Sequence, residues 1–319
     1  MGLVQSQEMQ NVLIVGLGAW GLRLLATLEK CQECKILGAV DRNPNNQSNA
    51  RKLFPSLRIE NELSIDHWPN IELAVIATQA NSHAALAKSF LQAKISLFIE
   101  KPFCVSLQEA EAVANLSLQK ATEVYVDHTY LHSSNYGVFK AAFPKQGDLI
   151  YSSQRLDYGG FVSDVDIISH LAYHDLYILD DLIGLQNLEP VYAHEFRRKE
   201  RQVSDAAKIQ LKGSGNSTYW ISVSTLFPEK VRKITAVWQN QSLLWDDQAQ
   251  KITRKTYALG KSKASVHKEE KLLENPQAST PLERQFSQLF KNGYHDQSLM
   301  QSLRVKRFIE EIRGQMGGS

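Results

Sequence analysis

Cysteine is scarce. Cys31, Cys34 and Cys104 are the three in 319 residues, too few and odd in number for a disulfide framework, which predicts a reducing compartment. No apolar run approaches the ~18 residues that span a bilayer, so a membrane partner is excluded. Neither sign of charge dominates. With 36 basic and 34 acidic side chains the formal charge is +2, which excludes nucleic acid or an acidic surface as the main partner. The opening MGLVQSQEMQ lacks both a basic start and an apolar core, so no signal peptide is expected and the predicted location is cytoplasmic. No internal repeat is found. What remains is an ordinary globular balance, 43% hydrophobic and 22% charged, in a chain long enough for two domains. The CQEC spacing of Cys31 and Cys34 has no second pair and falls at the end of a predicted helix, so it reads as ordinary thiols.

The stretch Asn11 to Leu25 organises the rest. Val12–Val15 is a short buried strand, followed by Gly16, Gly18 and Gly21 and then an apolar helical run. The first glycine permits a tight turn, the second lets backbone approach a pyrophosphate, and the third lets the helix sit on the sheet. The new helix turns its free N–H groups, those of Gly18, Ala19, Trp20 and Gly21, toward the phosphates. Trp20 is expected to matter there through its backbone alone. A second strand, LGAVDR, reaches Asp41, 20 residues beyond Gly21, where a carboxylate accepts from ribose hydroxyls and repels a 2′-phosphate. Arg42 either stacks on adenine or accepts that phosphate. NAD is the expected cofactor and NADP the alternative.

Farther along, strands alternate with helices. Residues 42–61, broken by Pro44 and Pro55, predict one short helix and a weak strand. Strands follow at Ile71–Thr78, Ser96–Pro102 and Glu123–Asp127, with helices at Ser82–Lys94 (capped by Asn81) and Leu107–Lys120. Such alternation implies a doubly wound parallel sheet, whose ligands bind beyond the carboxyl strand ends near Gly16, Asp41, Thr78 and Lys101. After Asp127 the rhythm changes: a helix Ser133–Phe143, a strand Leu149–Tyr158, a long helix Ile167–Ile183 and then five strand-like runs. These predict an α+β domain with a mostly antiparallel open sheet. Residues 1–126 are read as the first domain and 127–319 as the second. Lysine-rich 251–277 is read as a solvated surface, with a hairpin as the alternative, and helices Leu282–Lys291 and Gln297–Arg313 close the chain.

The order GLGAWG, VDR, IATQANSH, IEKP and a late histidine-bearing helix resembles the Gfo/Idh/MocA oxidoreductase family. Its most specific mark is Glu100–Lys101–Pro102 at a strand end, and YVDHTYLH with the 155–184 stretch looks most like the branch acting on sugars and nucleotide sugars. The resemblance implies nicotinamide at the sheet edge near Thr78, Gln79, Asn81, His83 and Glu100, substrate against the second domain's sheet, and a homodimer or homotetramer. It implies that Lys101, whose bond to Pro102 is often cis in relatives, is the residue closest to the reacting carbon. An ammonium there stabilises the alkoxide formed as hydride moves.

His170 and His174 lie four apart on the late helix. Relatives carry Asp then His in a D-x-x-x-H arrangement. His174, ten residues before Gly184, matches the second place, while His170 stands where the aspartate is expected. An imidazole titrating near neutrality suits proton transfer with a hydroxyl or carbonyl. Without the aspartate, either His170 serves as relay or substrate contact, or the oxidation chemistry is altered. Polar residues of a half-buried helix are a competing reading. A zinc pair is another, but Leu171 replaces the glutamate of H-E-x-x-H and no third ligand is evident, so no metal is expected. Asp175 is turned away from His174. His128, Tyr130, Arg155 and Tyr158 fall at the expected domain junction as substrate contacts. The resulting expectation is an NAD(P)-dependent oxidoreductase acting on a secondary alcohol or carbonyl carbon of a sugar, nucleotide sugar or cyclitol. The alternatives are an imine or enone reductase, a member retaining NAD for lyase or glycosidase-type chemistry, and a non-catalytic NAD-binding protein.

Overall fold

In the computed structural model residues 9–161, 164–259, 264–273, 279–292 and 297–316 are described. The chain forms two compact units, Met1–Thr129 with Ser279–Leu303, and Tyr130–Ala278 with Arg304–Ser319.

The first unit is a six-stranded sheet of β1 (Gln10–Val15), β2 (Cys34–Val40), β3 (Ile59–Glu60), β4 (Leu73–Ile76), β5 (Ser96–Ile99) and β6 (Val124–Val126). Their order is β3-β2-β1-β4-β5-β6, and every pairing is parallel. The strands are unbroken apolar runs because both faces are covered: all four residues of β4 are buried. The covering helices are α1 (Ala19–Leu28), α2 (Pro44–Leu53), α3 (Ala80–Gln92) and α4 (Leu107–Lys120). Their starts are written locally. Pro44 takes the first turn of α2 while the Asn43 side chain accepts from Asn45 N–H at 2.9 Å, and Ser106 with Glu109 forms a reciprocal box before α4. Asn81 is not the cap of α3. Gln79 holds that position without a side-chain bond, and the turn is tied by Ser82 Oγ donating to Gln79 O at 2.8 Å and by a 2.6 Å bond between the Thr78 and Ser82 hydroxyls.

Two late segments belong to this unit, which departs from a second domain running over 127–319. Helix α7 (Pro281–Asn292) carries Leu282, Phe286, Leu289 and Phe290 on one stripe, and these complete a first-unit core with Leu24, Leu25 and Phe98. Phe286 is fully buried 4.8 Å from the Phe98 ring, a contribution of about 1.5–3 kcal/mol. At the start of α8 (Ser298–Met316), Ser298 Oγ accepts from Val126 N–H at 2.8 Å.

The second unit contains α5 (Ser134–Ala142), β7 (Ile150–Tyr158), α6 (Tyr173–Ile183), β8 (Glu189–Phe196), β9 (Ala206–Lys212), β10 (Thr218–Ser224), β11 (Leu226–Trp238), β12 (Gln241–Asp246), β13 (Lys251–Leu259) and β14 (Ala264–Leu273). The strands form one sheet in the order β14-β13-β12-β11-β7-β10-β9-β8. Every pairing is antiparallel except the parallel β7–β10. Tyr151, Ile209, Ile221, Ile234 and Trp245 of this sheet share a core with α5, α6 and residues 305–312 of α8. The lysine-rich stretch is a β13–β14 hairpin, with residues 265–269 of β14 exposed. Its charges face across the strands, Arg254 opposite Glu270 and Lys255 opposite Glu269, with an ion pair of 3.2 Å in the second case. Residues 260–263 and 274–278 of that stretch lie outside the described residues. The predicted helix 167–183 is two segments, since Ile168–Ala172 forms a π turn with i→i+5 bonds ahead of α6. No described helix is long and apolar enough to cross a membrane.

Candidate active site

A parallel sheet sets all carboxyl strand ends on one edge, so Gly16, Asp41, Thr78, Lys101 and Asp127 follow β1, β2, β4, β5 and β6 there. The turn after β1 is built for a ligand that needs backbone access. Gly16 has φ +101°, and a Cβ there would stand 2.6 Å from the Ala77 carbonyl. A Cβ on Gly18 would meet nothing within 4 Å, which leaves open space at the N-terminal end of α1. The first-turn N–H groups of that helix have no intrahelical acceptor. Trp20 turns its indole sideways, under the Arg23 guanidinium 4.8 Å from the ring.

Asp41 is held beside this turn. Its Oδ2 accepts from Leu17 N–H at 2.6 Å and Asn46 Nδ2 at 3.0 Å, and its Oδ1 accepts from Asn43 N–H at 2.7 Å. Arg42, one residue on, is exposed. An open glycine turn, a helix dipole and a carboxylate after the second strand fit a dinucleotide, with Gly18–Gly21 at the pyrophosphate and Asp41 at the adenosine ribose.

Lys101 is half-buried and follows a fully paired strand, joined to Pro102 by a cis peptide. The loop carrying it is clamped from α3. His83 is 1% exposed, and its ring nitrogens face Pro102 O at 3.1 Å and Thr78 O at 3.0 Å. That histidine is a buried staple joining the loops after β4 and β5 rather than a surface residue. Glu100 is also buried, and burial first, then the neighbouring Asp127, pushes its carboxyl well above the usual range despite Lys101. Oε1 of Glu100 has no hydrogen-bond partner among the described residues. A carboxyl whose pKa rises on folding adds stability below the unfolded carboxylate range, and that contribution is lost as pH climbs through the folded value. Glu100→Gln is therefore expected to keep its melting temperature as pH is raised from about 5 to 9, where the parent loses stability. Thermal melts across that range check it, and parallel curves for the two proteins would refute it.

His128 is buried at 1% exposure and its Nε2 lies 3.1 Å from Ser302 Oγ, both in the first unit. That placement gives it a packing role and corrects its assignment as a substrate contact.

In the second unit His170 lies on the π turn and His174 on α6. From Leu171 to Asp180 every residue is buried except His174. Its Nδ1 is 3.1 Å from the Tyr177 hydroxyl, and the Tyr130 ring stands edge-on to it at 5.2 Å. Behind them lies a buried ion pair. Arg155 donates from Nε and Nη2 to the two Asp175 oxygens, both at 3.1 Å, and from Nη1 to Tyr130 Oη at 2.7 Å. Burial pulls the Arg155 guanidinium down, but Asp175 and the tyrosines outweigh it and the net shift is upward. Ser153 Oγ also donates to Asp175. Arg155 is thus buried with Asp175 as its ion-pair partner. Tyr158 is exposed, packed edge-on to Phe161 at 6.0 Å. Tyr177, Asn46 and Ser302 were not singled out in the sequence. Only Tyr177 carried a signal, its i+3 spacing from His174.

Cys31 and Cys34 are free thiols that hydrogen-bond to each other and to the Thr27 and Leu28 carbonyls. The bond to Cys31 and then burial push the Cys34 thiol far up, away from reactive thiolate. Among the described residues no group of three or more His, Cys, Asp or Glu could hold a metal ion.

Fold and cradle together define the first unit as a nicotinamide-dinucleotide domain. Residues 10–128 match the model of the Gfo/Idh/MocA oxidoreductase family, NAD-binding Rossmann fold, and the chain carries that family's NAD(P)-binding domain. A curated relative, UDP-N-acetylglucosamine 3-dehydrogenase of Acidithiobacillus ferrooxidans, is 24% identical over 211 residues, 65% of each chain. The match thus spans just under two thirds of that relative's length. A solved structure of the same enzyme superposes with TM-score 0.79 at 18% identity, covering 96% of this chain and 97% of that one. GenD2 from gentamicin A biosynthesis, solved with NAD, gives TM-score 0.81 at 14% identity over 98% and 95%. A lysine-to-alanine mutant of a 3-ketoreductase from Actinomadura kijaniata, solved with TDP-benzene and NADP, gives TM-score 0.80 at 13% identity over 97% and 98%. These likenesses extend the family fold over both units.

Proposed function

We propose that the chain is an oxidoreductase in which bound NAD exchanges hydride with a secondary alcohol or carbonyl carbon of a sugar, nucleotide sugar or cyclitol. The observation that carries this is Lys101, an ammonium held half-buried at the cofactor edge by a clamped loop just past β5. On this reading Lys101 donates to the substrate oxygen and stabilises the charge that gathers there. In the second unit, His174 is the group assigned to proton exchange with substrate, with His170 assisting from the π turn and Tyr130 and Tyr158 as sugar contacts. The activity of one relative, a UDP-N-acetylglucosamine 3-dehydrogenase, supports a sugar-like substrate. Absorbance of reduced nicotinamide in purified protein offered UDP-, TDP- and free sugars tests it. No turnover with any of them, in either direction, would count against the reading.

Preference for NAD rests on Asp41. A 2′-phosphate beside its pinned carboxylate brings two anions within ~5 Å, which costs about 3 kcal/mol at an effective dielectric near 20. Asp41→Asn removes the charge, so the ratio of Kd values for NADP over NAD is expected to fall by about 10- to 100-fold. Titration of both nucleotides by calorimetry measures it. Self-association belongs to the same reading, because Ile150, Trp220 and Tyr192 are exposed on one face of the second sheet.

A further inference from the structure

His174 is the reachable group in a buried segment, and what holds it is unlike what the family pattern predicts. Two acids near it in sequence have other partners. Asp175 binds Arg155 and Ser153, and Asp166, four residues before His170, accepts from Ser169 N–H at 3.0 Å and pairs with Arg313. Tyr177 instead follows His174 by three positions, on the same face of α6, and its hydroxyl lies 3.1 Å from Nδ1. That hydroxyl is itself fixed. It accepts from Tyr130 N–H at 3.3 Å, and the Tyr130 hydroxyl accepts from Arg155, which Asp175 grips through both oxygens. The imidazole is further confined between two ring edges, Tyr130 at 5.2 Å and Tyr177 at 5.6 Å.

We propose that Tyr177 is the positioning residue for His174. The inference rests on His174 being the proton-exchanging group. A phenol hydroxyl at 3.1 Å orients the ring, donating to Nδ1 or accepting from it. The charged and titratable groups around this corner are His170, Tyr130, Tyr177, Arg155, Asp175, Arg232, Lys233 and Asp247. Of these, the Arg155 cation and the Asp175 anion are paired with each other.

The test uses the full chain with NAD or NADH and the best sugar from the screen. Tyr177→Phe keeps both ring contacts and removes the hydroxyl. It is expected to lower kcat by about five- to tenfold, the value of one net hydrogen bond, with KM nearly unchanged. The ionisation limb of kcat/KM is expected to move in pH, and the His174 ring ¹⁵N signals to change tautomer balance. Difluorotyrosine at 177, which preserves shape and makes the phenol more acidic, is expected to move the limb again and covers the case in which the phenylalanine variant misfolds. His174→Gln is run beside them. If it retains full turnover, the reading of His174 itself fails. If it is inactive while both Tyr177 replacements leave the limb and the ring signals where they were, the positioning role is overturned.

Discussion

Lys101→Ala is expected to lower kcat/KM by about 10²- to 10⁴-fold while leaving nucleotide affinity within a few-fold. The ammonium sits at the strand end where substrate oxygen is proposed to acquire charge, so its contribution grows between ground state and transition state. Removing such an interaction costs rate more than binding. The loop is held by His83 through the Pro102 and Thr78 carbonyls, which the change leaves in place. Melting temperature is therefore expected to stay close to that of the parent. Arginine is not a conservative replacement there, since a planar fork does not concentrate charge on one oxygen as an ammonium does. Steady-state kinetics with calorimetric titration of NAD check all of this. Full turnover by the alanine variant would remove Lys101 from the chemistry.

Gly21→Ala is expected to be the more damaging change for cofactor binding. A Cβ at Gly21 would run into the Gly16 carbonyl oxygen and come within 2.8 Å of the Gly16 carbon. Both obstacles are backbone, so neither yields by rotating. Gly16 in turn cannot retreat, because it sits at φ +101° with its own Cβ direction blocked by Ala77 at 2.6 Å. The turn must open, and with it goes the alignment of the first-turn N–H groups of α1. A stability loss of about 2–4 kcal/mol and a rise in the Kd for NAD of at least ~100-fold are expected. Gly18→Ala is the informative companion. Its Cβ would enter open space, so melting is expected to be unaffected while NAD affinity falls, the space being where the pyrophosphate lies. Equal affinities for parent and Gly18→Ala, measured by calorimetry, would mean that the turn is purely structural.

The family pattern also explains why the parts differ in how readable they were. The run VLIV before three spaced glycines, the acid after LGAV and the lysine after SLFIE are local arrangements, and each lies in the structure where a parallel sheet delivers strand ends. The histidine environments were not readable. His83, His128 and His174 look alike as letters, yet two are 1% exposed and bonded to carbonyl or hydroxyl oxygen, and the third is accessible. Exposure is set by what packs on top, and for His128 that is Ser302, 174 residues away.

The amino-acid sequence by itself determined the period of each strand and helix, the turn that receives a dinucleotide and the strand-end positions of Asp41 and Lys101, because hydrophobic spacing and glycine geometry act over a few residues. Tertiary structure alone decided that β10 lies parallel to β7, that α7 returns to the first unit, that Arg155 is consumed by Asp175, and that Tyr177 holds His174. Those outcomes depend on which distant surfaces exclude water together, and pairing energies of that kind leave no periodic mark along the chain.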